Sequence, residues 1–202
     1  MAGKMEKKNL IIVIVVAVSV LAFGALALLS GGKGGVLGTP TLTVETPQKC
    51  SAGEEITLDV TISDMGEALY PAASMSIRFD PACLEFLAVE EGNVFILDGE
   101  STSGRQLPRW SYNTAACNES GLINIMYLDM TGGRYAFSRE LLAEEDNVVL
   151  RLTFRVRGSV RTGDVLDLIV EDAVFAASEE KDSLAMTRNT LRVRNSRIVI
   201  GE

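Results

Sequence analysis

Hydrophobic and polar positions alternate with period two along most of this chain. "EITLDVTIS" (Glu55–Ser63) sets Ile56, Leu58, Val60 and Ile62 on one face, and "VVLRLTFRVR" (Val148–Arg157) sets Val148, Leu150, Leu152, Phe154 and Val156 against Arg151, Thr153 and Arg155. Successive side chains of a strand point to opposite faces, so the pattern predicts strands buried on one side. The same reading gives strands at Thr41–Glu45, Ala73–Asp80, Leu84–Val89, Pro108–Thr114, Leu122–Met130, Val165–Phe175 and Leu191–Ile200, with turn residues between them. About nine short strands at this spacing predict an all-β sandwich. Only "SRELLA" (Ser138–Ala143) has a helical pattern, long enough for a turn or two.

One strand departs from the rule of one wet face. In "LINIMYLDM" (Leu122–Met130), Ile123, Ile125 and Tyr127 suit a core, yet the opposite face carries Leu122, Asn124, Met126, Leu128 and Met130. An antiparallel strand normally shows a solvated face. An apolar outer stripe predicts either cover by the long segment 132–147 or contact with a partner.

The alternation is absent from the first forty residues. Lys4, Lys7 and Lys8 precede "LIIVIVVAVSVLAFGALALL" (Leu10–Leu29), about twenty uncharged residues, the length of a membrane-crossing helix. The flanking lysines predict a cytoplasmic tail over residues 1–9 and a cell-membrane anchor over 10–29, with the rest of the chain outside the cell. The alternative is a signal peptide cleaved near Ala25-Leu26-Ala27, giving a secreted domain, although the apolar run continues past that point. "SGGKGGVLGTP" (Ser30–Pro40) is glycine-rich and aperiodic, a flexible linker to a domain spanning residues 41–202.

Residues 1–38 hold four lysines and one glutamate, which leaves 15 basic and 26 acidic residues in the remainder, a net of −11. Such a domain repels phosphate backbones, so nucleic acid is excluded as a partner. Cys50, Cys83 and Cys117 are odd in number, have no CxxC spacing and find no histidine to complete a zinc site. They read as buried or half-buried thiols with at most one bridge.

The residues of "SAGEEITLDVTISDMGEALYPAASMSIRFDPACLEFLAVEEGNVF" (Ser51–Phe95) resemble the first half of a cohesin domain. The likeness lies in a glycine-containing entry, an alternating strand, a small-residue turn, "IRFDP" and "LEFLAVEEGNVF" in that order. "GLINIMYLDM", "VVLRLTFRVRG" and "DLIVEDAVFAA" extend the likeness to essentially the whole domain. The resemblance implies a jelly-roll β-sandwich that binds dockerin-containing proteins and has no catalytic residues or cofactor of its own. Calcium would belong to the dockerin, whose loops are EF-hand-like, and this chain has no D-x-D-x-D-G loop. It further implies docking on the outer face of a sheet built from the strands third, fifth, sixth and eighth in order. Here that face carries Ser74, Ser76, Arg78, Arg109, Ser111, Asn113, Asn124, Met126, Leu128, Ile169 and Glu171. A lone cohesin behind a membrane anchor fits a surface attachment role, one setting for which is polysaccharide degradation.

Two other classes have weaker support in the residues. A carbohydrate-binding module on the same fold would bind polysaccharide through exposed aromatic rings. Here Trp110 and Tyr112 share one face of their strand, and alternation points both inward. For an enzyme, Glu54-Glu55, Glu90-Glu91, Glu144-Glu145-Asp146 and Glu179-Glu180 supply carboxylates, but adjacent residues on a strand point opposite ways and most of these lie at turns. They read as solvated charge rather than an opposed acid pair. Without histidine, Ser-His and Cys-His nucleophiles are excluded. Asn118-Glu119-Ser120 is a glycosylation sequon, expected in a loop.

Overall fold

A computed structural model describes residues 38–47, 49–66, 68–93, 108–139, 142, 147–178 and 185–201. The apolar segment 10–29 lies outside them, and among the described residues no helix is long and apolar enough to cross a membrane. The compact unit runs from Gly38 to Glu202.

Alternation becomes two facing sheets, the jelly-roll sandwich. One sheet contains β1 (Thr41–Val44), β2 (Glu55–Ser63), β4 (Leu84–Glu91), β6 (Val148–Val156) and β8 (Arg192–Arg194), in the order β4-β6-β2-β1-β8. The other contains β3 (Ala72–Arg78), β5 (Leu122–Leu128), β7 (Val165–Ala176) and β9 (Ser196–Val199), in the order β5-β3-β7-β9. The pairings are antiparallel except β1 with β8. The apolar faces close on each other. Ile56, Leu58 and Val60 of β2 and Leu152 and Phe154 of β6 meet Met75, Ile77 and Ile125 from the second sheet, all buried. Each such side chain contributes about 1.5–3 kcal/mol when withdrawn from water. The Phe154 ring lies 5.6 Å from Phe79, edge-on, and 5.6 Å from Phe86, tilted, and Tyr127 lies 4.6 Å from Phe137 and 5.4 Å from Trp110.

The structure corrects two expected elements. Residues 108–114 are not a strand. They touch the sheet through one bridge, Ser111 with Met126, and then turn into helix α1 (Thr114–Ser120). The Asn113 side chain caps this helix by accepting from the Ala116 N–H at 3.1 Å, and Gly121 ends it at φ 68°. The cap-to-glycine signature was present in "NTAACNESG" but hidden behind the alternation of Trp110-Ser111-Tyr112. Of the stretch expected to be helical, residues 140, 141 and 143 lie outside the described ones; the Leu142 N–H donates to the Ser138 carbonyl at 2.9 Å, the i to i+4 bond of one helical turn. The expected last strand is two. It breaks at Asn195, so that β8 joins one sheet and β9 the other, as happens where a strand passes between layers. The side-chain oxygen of Asn195 then accepts from Val170 N–H at 2.9 Å.

Candidate functional site: the outer face of the β5-β3-β7 sheet

The two outer faces of the sandwich differ in chemistry. Across β4-β6-β2, charges stand in complementary rows. Arg155 lies between Glu55 (2.5 Å) and Glu85 (3.2 Å), and Arg151 reaches Asp59 at 3.0 Å. Exposed pairs of this kind stabilise little, but they satisfy one another and leave a solvated surface. Glu55 is thereby committed to an arginine, and its neighbour Glu54 accepts from the Ser51 N–H at 2.8 Å.

The other face is mixed. Directly opposed residues of antiparallel strands present their side chains on the same side, so the register defines rows across the sheet. The first row is Leu128, Ala72 and Ala176; the second is Met126, Ser74 and Val174. The third is Asn124, Ser76 and Asp172, in which Ser76 Oγ donates to Asn124 Oδ1 at 2.7 Å. The fourth is Leu122, Arg78 and Ile169, with Arg78 paired to Glu171 at 2.5 Å. Met126, Leu128 and Met130 are 56%, 48% and 82% exposed. None of the described residues of 132–147 covers them.

Eight of the eleven residues expected on this face stand on it: Ser74, Ser76, Arg78, Asn124, Met126, Leu128, Ile169 and Glu171. Ser111 joins at the edge through its bridge to Met126, and Arg109 is exposed two residues before it. Asn113 does not belong to the face, because its side chain is spent on capping α1. Two residues were missed. Strand β7 carries a bulge, since Ile77 is opposite Val170 while Ser76 is opposite Asp172. One extra residue reverses the alternation. Up to Val170 the even positions are buried, and from Ala173 the odd ones are, so Asp172 and Val174 turn toward the outer face. The phase change is legible in "LDLIVEDAVF", where two acids separate the apolar sets.

The aromatic expectation is half corrected. Trp110 is buried at 4% exposure, whereas Tyr112 is 37% exposed and lies edge-on to Phe86 at 5.7 Å. No exposed pair of rings forms a platform among the described residues. All three cysteines are free thiols. Burial, then the bond from Cys83 Sγ to Asp80 Oδ2 at 3.3 Å, raises the Cys83 pKa, and burial raises that of Cys50, so both stay protonated near neutrality. Among the described residues no three His, Cys, Asp or Glu side chains converge as a metal site. The sequon lies in α1 rather than a loop. Asn118 Nδ2 donates to the Phe86 and Thr114 carbonyls at 2.8 and 3.1 Å, so its amide hydrogens are in use.

The family model of the cohesin domain matches residues 40–193. No curated protein matches the chain. Among solved structures, the OlpA cohesin–dockerin complex of Clostridium thermocellum matches at 18% identity and a TM-score of 0.61, over 81% of this chain and 99% of the other. The third ScaC cohesin of Acetivibrio cellulolyticus, in complex with the ScaB dockerin, matches at 16% identity and a TM-score of 0.58, again over 81% and 99%. CaCohA2 of Clostridium acetobutylicum matches at 20% identity and a TM-score of 0.54, over 81% and 91%. At these identities the structures speak to the fold.

Proposed function

We propose, from the premise that this chain belongs to the cohesin family, that its β5-β3-β7 face docks a dockerin-bearing protein. The domain is a non-catalytic interaction module, so any chemistry belongs to what the dockerin carries. The observation that carries the proposal is the contrast between the two outer faces. One sheet neutralises its charges in rows, while the other leaves Met126, Leu128 and Met130 exposed beside serines and an asparagine. An apolar centre with a polar rim is the composition of a protein interface. The polysaccharide-binding alternative has no comparable support, since Trp110 is buried and Tyr112 packs on Phe86.

The same reading includes attachment. The segment 10–29 would hold the domain at the outer face of the cell membrane through the linker 30–40, presenting partners that act on polysaccharide. Intact-mass analysis of the membrane fraction tests this arm, and a mature chain beginning near Leu28 would replace the anchor with a shed domain.

Docking is tested by titrating the chain with each dockerin encoded in the same genome, in calcium-containing buffer. Met126→Asp with Leu128→Asp is expected to leave the circular dichroism unchanged and to weaken binding by about 2 kcal/mol or more, because unpaired charges would be buried in the contact. Unchanged binding by this folded variant would move the docking site to another surface. Binding to polysaccharide and to no dockerin would favour the carbohydrate-module reading.

A further inference from the structure

The charges of the β5-β3-β7-β9 face are paired with one exception on its central strands. Arg78 holds Glu171 at 2.5 Å, and Arg197 holds Asp167 at 3.2 Å. The bulge in β7 turns two consecutive acids outward, and Arg78 takes only the first. Asp172 is exposed and has no ion-pair or hydrogen-bond partner among the described residues. Arg188, on the neighbouring segment, lines the same groove of about 310 Å³ as Asp172 without pairing to it.

The position of Asp172 gives this free charge a direction. It closes the row Asn124, Ser76, Asp172, which crosses the middle of the face. The hydroxyl hydrogen of Ser76 is given to Asn124 Oδ1, so the free end of Asn124 is its amide Nδ2, a donor. The row therefore donates at the β5 edge and accepts, with a full negative charge, at β7. On either side lie rows with apolar members, Met126 with Val174 and Leu122 with Ile169. A module that covers those rows must also cover Asp172, and leaving a carboxylate desolvated without a cation opposes binding.

We propose that the Asn124–Ser76–Asp172 row is the selectivity element of the face: it takes a lysine or arginine of the docked module at Asp172 and a hydrogen-bond acceptor at Asn124. This rests on the docking reading above. The net charge of −11 beyond residue 38 acts in the same direction, since it attracts basic surfaces at long range.

The probe is the dockerin of the same genome that binds the full chain most tightly in the titrations above. Asp172→Asn is expected to raise Kd roughly tenfold or more and to flatten its dependence on salt between 50 and 500 mM. Asp172→Lys should weaken binding further, and a lysine- or arginine-to-glutamate change in that dockerin should restore it. Asp172 is exposed, so neither variant threatens the fold. Wild-type Kd and salt dependence in both variants, while the Met126→Asp/Leu128→Asp double variant loses binding, would overturn the row and leave the docking reading standing. If no dockerin binds the unmodified chain, both fall together.

Discussion

The side-chain amide of Asn118 makes both main-chain bonds of Phe86, donating to its carbonyl at 2.8 Å and accepting from its N–H at 2.8 Å. A neighbouring strand would make the same two bonds. Strand β4 is the outermost of its sheet, so the asparagine closes an edge that would otherwise present unpaired groups. It also ties α1, which leads directly into β5 of the other sheet, to β4. Asn118→Ala should cost about 1–3 kcal/mol, since Phe86 keeps both groups and loses both partners. Asn118→Asp should cost at least as much, because the oxygen that replaces Nδ2 has no hydrogen to donate and faces the Phe86 and Thr114 carbonyls. Urea denaturation reads the loss, and faster hydrogen exchange confined to the Phe86 amide locates it.

The register of β5 predicts opposite outcomes for neighbouring residues. Ile125 is buried at 4% exposure, while Met126 is 56% exposed. Ile125→Asp should unfold the domain, because a carboxylate enters the core without a partner. Met126→Asp should leave it folded. Thermal melts of the two variants decide the matter, and the reverse result would mean that β5 pairs one residue out of register.

Tyr127 donates its hydroxyl to the Tyr135 carbonyl at 2.7 Å, and burial, followed by the charge of Asp129, pushes its pKa well above the ordinary tyrosine value. Burial moves the Cys50 and Cys83 pKa values in the same direction. For each group the folded pKa exceeds the unfolded one. Its contribution to stability is therefore complete below the unfolded value, about 8.5 for cysteine and about 10 for tyrosine, and is lost as pH rises through the folded value. The chain has no histidine, so stability should be nearly flat from about pH 5.5 to 8 and decline above. Tyr127→Phe should cost about 1 kcal/mol at pH 7 and give a shallower decline above about pH 10. Urea midpoints at pH 7, 9 and 10.5 test this, and parallel slopes for both proteins would count against it.

Gly121 ends α1 at φ 68°, and a Cβ there would lie 2.8 Å from the Phe79 carbonyl oxygen, an atom of the backbone that cannot swing aside. Gly121→Ala should cost about 1–2 kcal/mol for the left-handed backbone, with the contact adding to it. A chemical-denaturation midpoint equal to wild type would show that the turn relaxes at no cost.

Much of this protein is set by its alternation alone. Phe79 and Ile77 face inward because a period of two places them with Met75, and Met126 and Leu128 face outward because Ile125 and Tyr127 must go in. Nothing beyond the chain's own order of side chains is needed for that, since the hydrophobic face of a strand has one place to go. The helical cap around Asn113 and the phase change at Glu171-Asp172 were also legible, once read as local signals rather than as further alternation. Tertiary structure decided what local pattern cannot encode. The break at Asn195 sends two adjacent strands to different sheets, because each completes an edge that the other cannot reach. The pairing of Arg78 with Glu171 rather than Asp172 depends on how β7 bulges against β3, and Asn118 meets Phe86 across 32 residues of chain. Those contacts join positions distant in sequence, and only packing of the whole sandwich brings them within a hydrogen bond's length.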